Sequence, residues 1–204
     1  MCLATFYGVS WIHLSLNESI SRLRLYLDFL TGHPGPLISA VGSVDFLYVE
    51  VTSSGRVLAS VDLGGSRATL VSPPGVSSVA DRRWHSVVVT LARTEVRLIL
   101  DDVFESRARV PGDLTELNVD VGLRLGARFV EVPVVSSKES IASSFRGCLR
   151  SVTFNSVDIL ATARRVPSDT TSRPIHVTWD RSEQQTDYAN HFDGIFFQGA
   201  ICFA

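Results

Sequence analysis

Val44-Asp45-Phe46-Leu47-Tyr48-Val49-Glu50-Val51-Thr52-Ser53-Ser54-Gly55-Arg56-Val57-Leu58-Ala59-Ser60-Val61-Asp62-Leu63-Gly64-Gly65 is the stretch that decides the fold. Leu47, Val49 and Val51 alternate with Tyr48 and Glu50. Val57, Ala59 and Val61 form a second alternating set after Ser53-Ser54-Gly55. A period of two puts one face of a strand in a core and the other toward water. β-Branched and aromatic side chains suit that half-buried surface. Two such runs joined by a short Ser/Gly turn predict a pair of adjacent antiparallel strands, and Gly64-Gly65 permits the next sharp turn.

The same signal extends in both directions. Leu23, Leu25, Leu27 and Phe29 alternate with Arg24, Tyr26 and Asp28; Val87, Val89 and Leu91 form another run, followed by Val96, Leu98 and Leu100. Gly32-His33-Pro34-Gly35-Pro36, Pro73-Pro74-Gly75 and Pro111-Gly112 punctuate between runs. Many short strands at near-regular spacing predict an all-β, antiparallel two-sheet sandwich. The chain shows no long stretch of helical spacing. Ala161 to Arg173 reads as a loop or linker, and Gly194-Ile195-Phe196-Phe197 as an isolated apolar strand that needs a neighbour to cover it.

The 204 residues suffice for one good-sized core. Charged residues make up 20% and the net charge is -2, which gives no global attraction to nucleic acid or anionic membrane. No run of about 18 apolar residues could span a bilayer. The basic residues are almost all Arg, with Lys138 the only lysine. A guanidinium fork suits carboxylate and sulfate groups. Met1-Cys2-Leu3-Ala4-Thr5 does not read as a signal peptide. Asn17-Glu18-Ser19 is an N-glycosylation sequon. Cys2, Cys148 and Cys202 form no CxxC pair and no metal-ligand spacing.

Catalytic signatures are missing. The chain contains no G-x-S-x-G, H-E-x-x-H, Walker A or G-x-G-x-x-G motif, and its five His are scattered. Asp101 and Asp102, read as strand neighbours, would point to opposite faces and could not flank one glycosidic bond. Glu50 and Asp62 would qualify as an acid pair only if the fold brought them into one cleft. The reading is therefore a protein that is not an enzyme. Trp84 is expected in the core at one end of the sandwich, with His85 turned outward.

Several motifs, in order, resemble laminin G-like domains. Val44 to Val51, Gly55-Arg56-Val57-Leu58 and Val61-Asp62-Leu63-Gly64 are similar to their strand–turn–strand signature. Asp81-Arg82-Arg83-Trp84-His85-Ser86-Val87 and Val96 to Asp102 resemble two following strands. Leu123 to Ala127 and Phe145-Arg146-Gly147-Cys148-Leu149-Arg150 resemble the late signatures. The opening Ala4 to Gly8 is similar to the N-terminal laminin G-like domains of cell-surface proteoglycans. The resemblance implies a laminin G-like, concanavalin-like jelly roll over residues 1–180, with a recognisable core at 5–160. Residues 181–204 would be a C-terminal tail or the truncated start of a second such domain.

The resemblance also implies a site. Calcium-binding members hold the ion at the sandwich rim, and their ligand positions fall here on the Asp45 carboxylate, the Leu63 and Glu116 carbonyls and the Asn118 side chain. Carbonyl, amide and carboxylate oxygens suit calcium, and one formal charge implies affinity toward the millimolar end of extracellular modules. Family members pair the cysteine equivalent to Cys148 with one about thirty residues on, where Arg181 falls in this chain. Either Cys148 pairs with Cys202 over a longer loop, or it is unpaired. Arg82, Arg83, Arg124 and Arg128, with Arg93, Arg97, Arg107 and Arg109, are candidates for a sulfated-glycan patch.

The function implied is a non-catalytic extracellular or cell-surface adhesion module, part of a larger membrane-anchored proteoglycan. It would bind a matrix protein, receptor or sulfated glycan with calcium assistance, without nucleic acid, and with Asn17 glycosylated. A lectin-like or carbohydrate-processing sandwich is the alternative.

Overall fold

The computed structural model describes residues 3–8, 11–73, 77–129, 144–164, 177–178 and 195–198. In chain order the strands are β1 (Leu3–Tyr7), β2 (Ile12–Leu14), β3 (Glu18–Ile20), β4 (Arg22–Leu30), β5 (Gly35–Val41), β6 (Asp45–Val51), β7 (Val57–Leu63) and β8 (Arg67–Val71). Then come β9 (Trp84–Ala92), β10 (Glu95–Leu100), β11 (Phe104–Arg109), β12 (Leu117–Val119), β13 (Gly122–Leu125), β14 (Arg146–Phe154) and β15 (Val157–Asp158). A short helix α1 (Ile159–Arg164) precedes β16 (Val177–Thr178) and β17 (Ile195–Gln198).

Among the described residues these strands form two large antiparallel sheets. The first runs β11-β10-β9-β4-β14-β1-β17, with β15 paired to β14. The second runs β16-β2-β13-β5-β6-β7-β8, and a two-stranded ribbon joins β12 to β3. This is the expected two-sheet sandwich. Every alternating position read from the sequence enters one core: Leu23, Leu25, Leu27 and Phe29 with Val87, Val89 and Leu91 from the first sheet, against Leu47, Val49, Val51, Val57, Ala59 and Val61 from the second. Burying each such side chain contributes about 1.5–3 kcal/mol.

The structure departs from the sequence reading at identifiable places. Gly35 and Pro36 are not part of a turn; they open β5, whose seven residues are all buried. The first turn of the predicted 161–173 loop is helical, in α1. The segment near residue 195 forms β17, which pairs with β1.

Trp84 and His85 exchange the predicted sides. Val87, Val89 and Leu91 face the core, so His85 shares their parity and Trp84 does not. His85 packs inward against the Phe29 ring, centroids 5.7 Å apart. Trp84 lies half-buried on the outer face, and the Arg150 guanidinium stacks 4.0 Å from its ring centroid. Asp101 and Asp102 are not strand neighbours. They form the β10–β11 turn, with φ of 54° and 55°.

Cys148, buried on β14, is disulfide-bonded, and its Sγ lies 3.5 Å from Thr5 Oγ1. Cys2 and Cys202 lie outside the described residues, so the expected Cys148–Cys202 pairing does too. A side chain on Gly147 would meet the Leu30 carbonyl oxygen at 2.2 Å, which explains a glycine beside this cysteine.

Candidate functional site

Asp45 opens β6 at the rim, opposite Leu63 at the end of β7. The turn before it is closed by a hydrogen bond from the Gly42 amide to the Asp45 carbonyl, 2.9 Å. Asp62, one residue before Leu63, accepts from the amides of Gly64 and Gly65 at 3.0 and 2.9 Å and so shapes the β7–β8 turn. Gly64 has φ of 95°, and a side chain there would meet Asp45 Oδ1 at 3.0 Å. The glycine keeps that oxygen uncovered.

The third wall is the segment leading into β12. Asn118 donates its backbone N–H (2.7 Å) and its side-chain Nδ2 (2.8 Å) to Asp45 Oδ2. With nitrogen engaged, the Asn118 amide oxygen is left over. β12 is held from behind by β3, where Ser19 pairs with Asn118 and the Ser19 hydroxyl donates to Glu116 Oε2 at 2.7 Å. It is held from below by Gly42, where a Cβ would come within 2.0 Å of the Asn118 carbonyl oxygen. The Ser43 amide and hydroxyl both donate to Asp120, each at 2.6 Å, which holds the Asp120 carboxyl below its usual range.

Asp45, Leu63, Glu116 and Asn118 therefore line one cleft of about 340 Å³, together with Val44, Gly64, Asp113, Leu114 and Thr115. All four positions implied by the resemblance meet there. Val44, Asp113 and Leu114 were missed, because nothing in their own types marks them. Asp45 is only 2% exposed, and among the described residues it forms no ion pair with Lys, Arg or His. A buried carboxylate without a cation is costly. Oδ2 is satisfied by Asn118, whereas no donor among the described residues reaches Oδ1. Among the described residues no Lys or Arg lines the cleft, while Asp45, Asp113 and Glu116 do, so their field favours a cation. The oxygen-only donor set fits a hard ion such as calcium. Among the described residues no group of three His, Cys, Asp or Glu side chains is arranged to hold a metal ion; this site would instead draw on carbonyl and amide oxygens around one carboxylate.

The arginines are arranged differently. Arg82 and Arg83 lie on the loop before β9, where the Arg82 amide donates to Thr31 at 2.9 Å and Arg83 pairs with Asp81 at 3.8 Å. Arg124 and Arg128 sit together on the outer face of the second sheet, with Arg124 Nη1 donating to the Arg128 carbonyl at 3.3 Å. Arg128 stacks on Tyr48 and pairs with Glu50, and Arg124 stacks 4.1 Å from the Phe129 centroid. Arg97 and Arg107 share Glu105, Arg109 donates to Thr94, and Arg93 sits in the β9–β10 turn. Phe46, Tyr48 and Phe129 form an aromatic cluster on that outer face that the sequence reading missed, and it is buried rather than open. Glu50 and Asp62 do not form an acid pair. Glu50 on β6 faces Leu58, and Asp62 lies four residues further along β7, roughly 13 Å.

The family model "Laminin G domain" matches residues 29–157, and the whole sandwich has that architecture. The chain belongs to the laminin G domain family. This laminin G domain is 28% identical over 159 residues to chondroitin sulfate proteoglycan 4 of Rattus norvegicus, covering 77% of the chain and 7% of that protein. It is 29% identical over 157 residues to neurexin-4 of Drosophila melanogaster, covering 77% of the chain and 11% of that protein. The chain thus spans only a small part of these relatives. Among solved structures, domains LG4-5 of the mouse laminin alpha1 chain superpose with a TM-score of 0.62 at 20% identity, over 76% of this chain and 42% of that one. A pentraxin from Limulus polyphemus superposes with a TM-score of 0.60 at 11% identity, over 96% and 94%. Among the described residues no helix is long and apolar enough to cross a membrane.

Proposed function

We propose that this laminin G domain is a non-catalytic extracellular binding module that engages its partner at the Asp45 rim through a calcium ion. The observation that carries this reading is the buried Asp45 carboxylate, which has no cationic partner among the described residues and stands in an acidic cleft with Leu63, Glu116 and Asn118. Asp45 and Asn118 would hold the ion with side-chain oxygens, and Leu63 and Glu116 with carbonyls. Bound calcium would supply open positions for an acidic group of the partner. Four protein oxygens leave part of a six- to eight-oxygen shell to water and partner.

The cleft walls bear on the partner's chemistry. Val44 is 70% exposed and Leu114 57%; both line the cleft, which has no Arg or Lys among its described lining residues. That favours a protein carboxylate flanked by apolar contacts, as from a matrix protein or receptor, over a sulfated glycan held by arginine. Any role of Arg82, Arg83, Arg124 and Arg128 in glycan binding would use other surfaces. The pairing of β17 with β1 supports assigning residues near 195 to this sandwich rather than to a second domain.

Thermal unfolding tests the reading. With calcium at about ten times a millimolar Kd, linkage stabilises the native state by about 1.4 kcal/mol, which raises Tm by about 3–5 °C for a chain of this size. Asp45→Asn keeps the shape and should lose the rise. An equal rise in both proteins would contradict the assignment.

A further inference from the structure

We propose that Asn17 carries an N-linked glycan that overhangs the approach to the rim cleft and restricts which partners reach it. The second half of this rests on the rim reading above. Asn17, Glu18 and Ser19 are all exposed, and the last two belong to β3, the strand that backs the cleft. Ser19 pairs with Asn118 and Glu18 with Val119. Continuing that register by one step sets Asn17 beside Asp120, whose carboxylate grips Ser43, the residue before Val44. Two strand spacings, roughly 10 Å, separate such a position from the cleft mouth, and a branched oligosaccharide exceeds that gap.

The geometry also orders the events. An N-x-S acceptor needs its hydroxyl residue as well as its asparagine, but in the fold the Ser19 hydroxyl is bonded to Glu116 and its backbone is paired to β12. Transfer before the β3–β12 ribbon closes meets no such competition. In that step Asn17 Nδ2 bonds to the anomeric carbon of a polyprenyl-diphosphate oligosaccharide. The C1–O bond breaks, the lipid diphosphate leaves with the electron pair, and the amide proton passes to a base of the transferase. Once the rim has closed, the glycan stands on the Ser43–Val44 side. Small ions pass it; bulky ligands are held back.

The test uses the full chain secreted from animal cells. Peptide N-glycosidase should lower its mass by one glycan, Asn17→Gln should lack that mass, and Ser19→Thr should keep it. Access is read with a Val44→Lys variant. Acylation at residue 44 by a long polyethylene-glycol ester should become several-fold faster after deglycosylation. A small acetylating ester should react at an unchanged rate. A chain whose mass the glycosidase leaves unaltered overturns the modification. Glycan loss that leaves the polymer rate at residue 44 unchanged overturns the steric role. Neither readout involves calcium, so failure of the metal reading would be seen separately.

Discussion

His85 is held between two carboxylates, Nδ1 at 2.8 Å from Asp101 and Nε2 at 3.1 Å from Asp81. Burial alone would lower its pKa, but the hydrogen bonds and charges of Asp101 and Asp81 outweigh it and raise the value above 6.5. A folded pKa above the unfolded one contributes stability that is fully present below about pH 6.5 and lost as pH rises through the raised value. Chemical denaturation from pH 6 to 9 should therefore show declining stability, and His85→Gln should flatten the decline at a cost of about 1–2 kcal/mol at pH 6. An unchanged slope in the variant would show that another group is responsible. Trp84 gives a second residue-level expectation. Stacked under Arg150 rather than set in the core, its replacement by Ala should cost about 1–2 kcal/mol, not the roughly 3–5 kcal/mol of a core tryptophan. Urea melts distinguish the two values.

At the scale of elements, the rim depends on how closely β12 approaches the turn before β6. Gly42 is the contact point, and a methyl there meets first the Asn118 backbone, which cannot swing aside as a side chain can. Gly42→Ala should cost about 1–3 kcal/mol in urea unfolding and should weaken calcium binding along with it; full stability with full binding would show that β12 can shift freely. Strands with one buried face were legible as alternation, including the two runs in Val44 to Gly65. β5 was not, because every one of its residues is buried, and β11 was not, because its residues are nearly all exposed or half-exposed. β5 shows no period of two, and β11 alternates only between small half-exposed residues and exposed charged ones, with no apolar face to mark it. Trp84 and His85 were assigned by size and polarity when the parity of Val87, Val89 and Leu91 already decided the matter. For Cys148, non-reducing peptide mapping should yield a Cys148–Cys202 linked peptide; a Cys148–Cys2 peptide would contradict the longer-loop pairing.

On the scale of the whole molecule, two sheets share one core and leave the rim turns to carry function. Asp45, Leu63, Glu116 and Asn118 lie far apart in the chain, and their convergence is invisible to composition or periodicity; only the family resemblance put them together, and the fold then brought them to a single cleft. The flanking Val44, Leu114 and Asp113 are marked only by their place in the fold, since an exposed valine or leucine looks like any other in sequence. The central claim is that this rim binds calcium through Asp45. Isothermal titration of the domain with calcium at millimolar concentration tests it most directly: one saturable site in the wild type and no binding heat in Asp45→Ala are predicted, whereas no heat in either protein, or equal heat in both, would contradict the account.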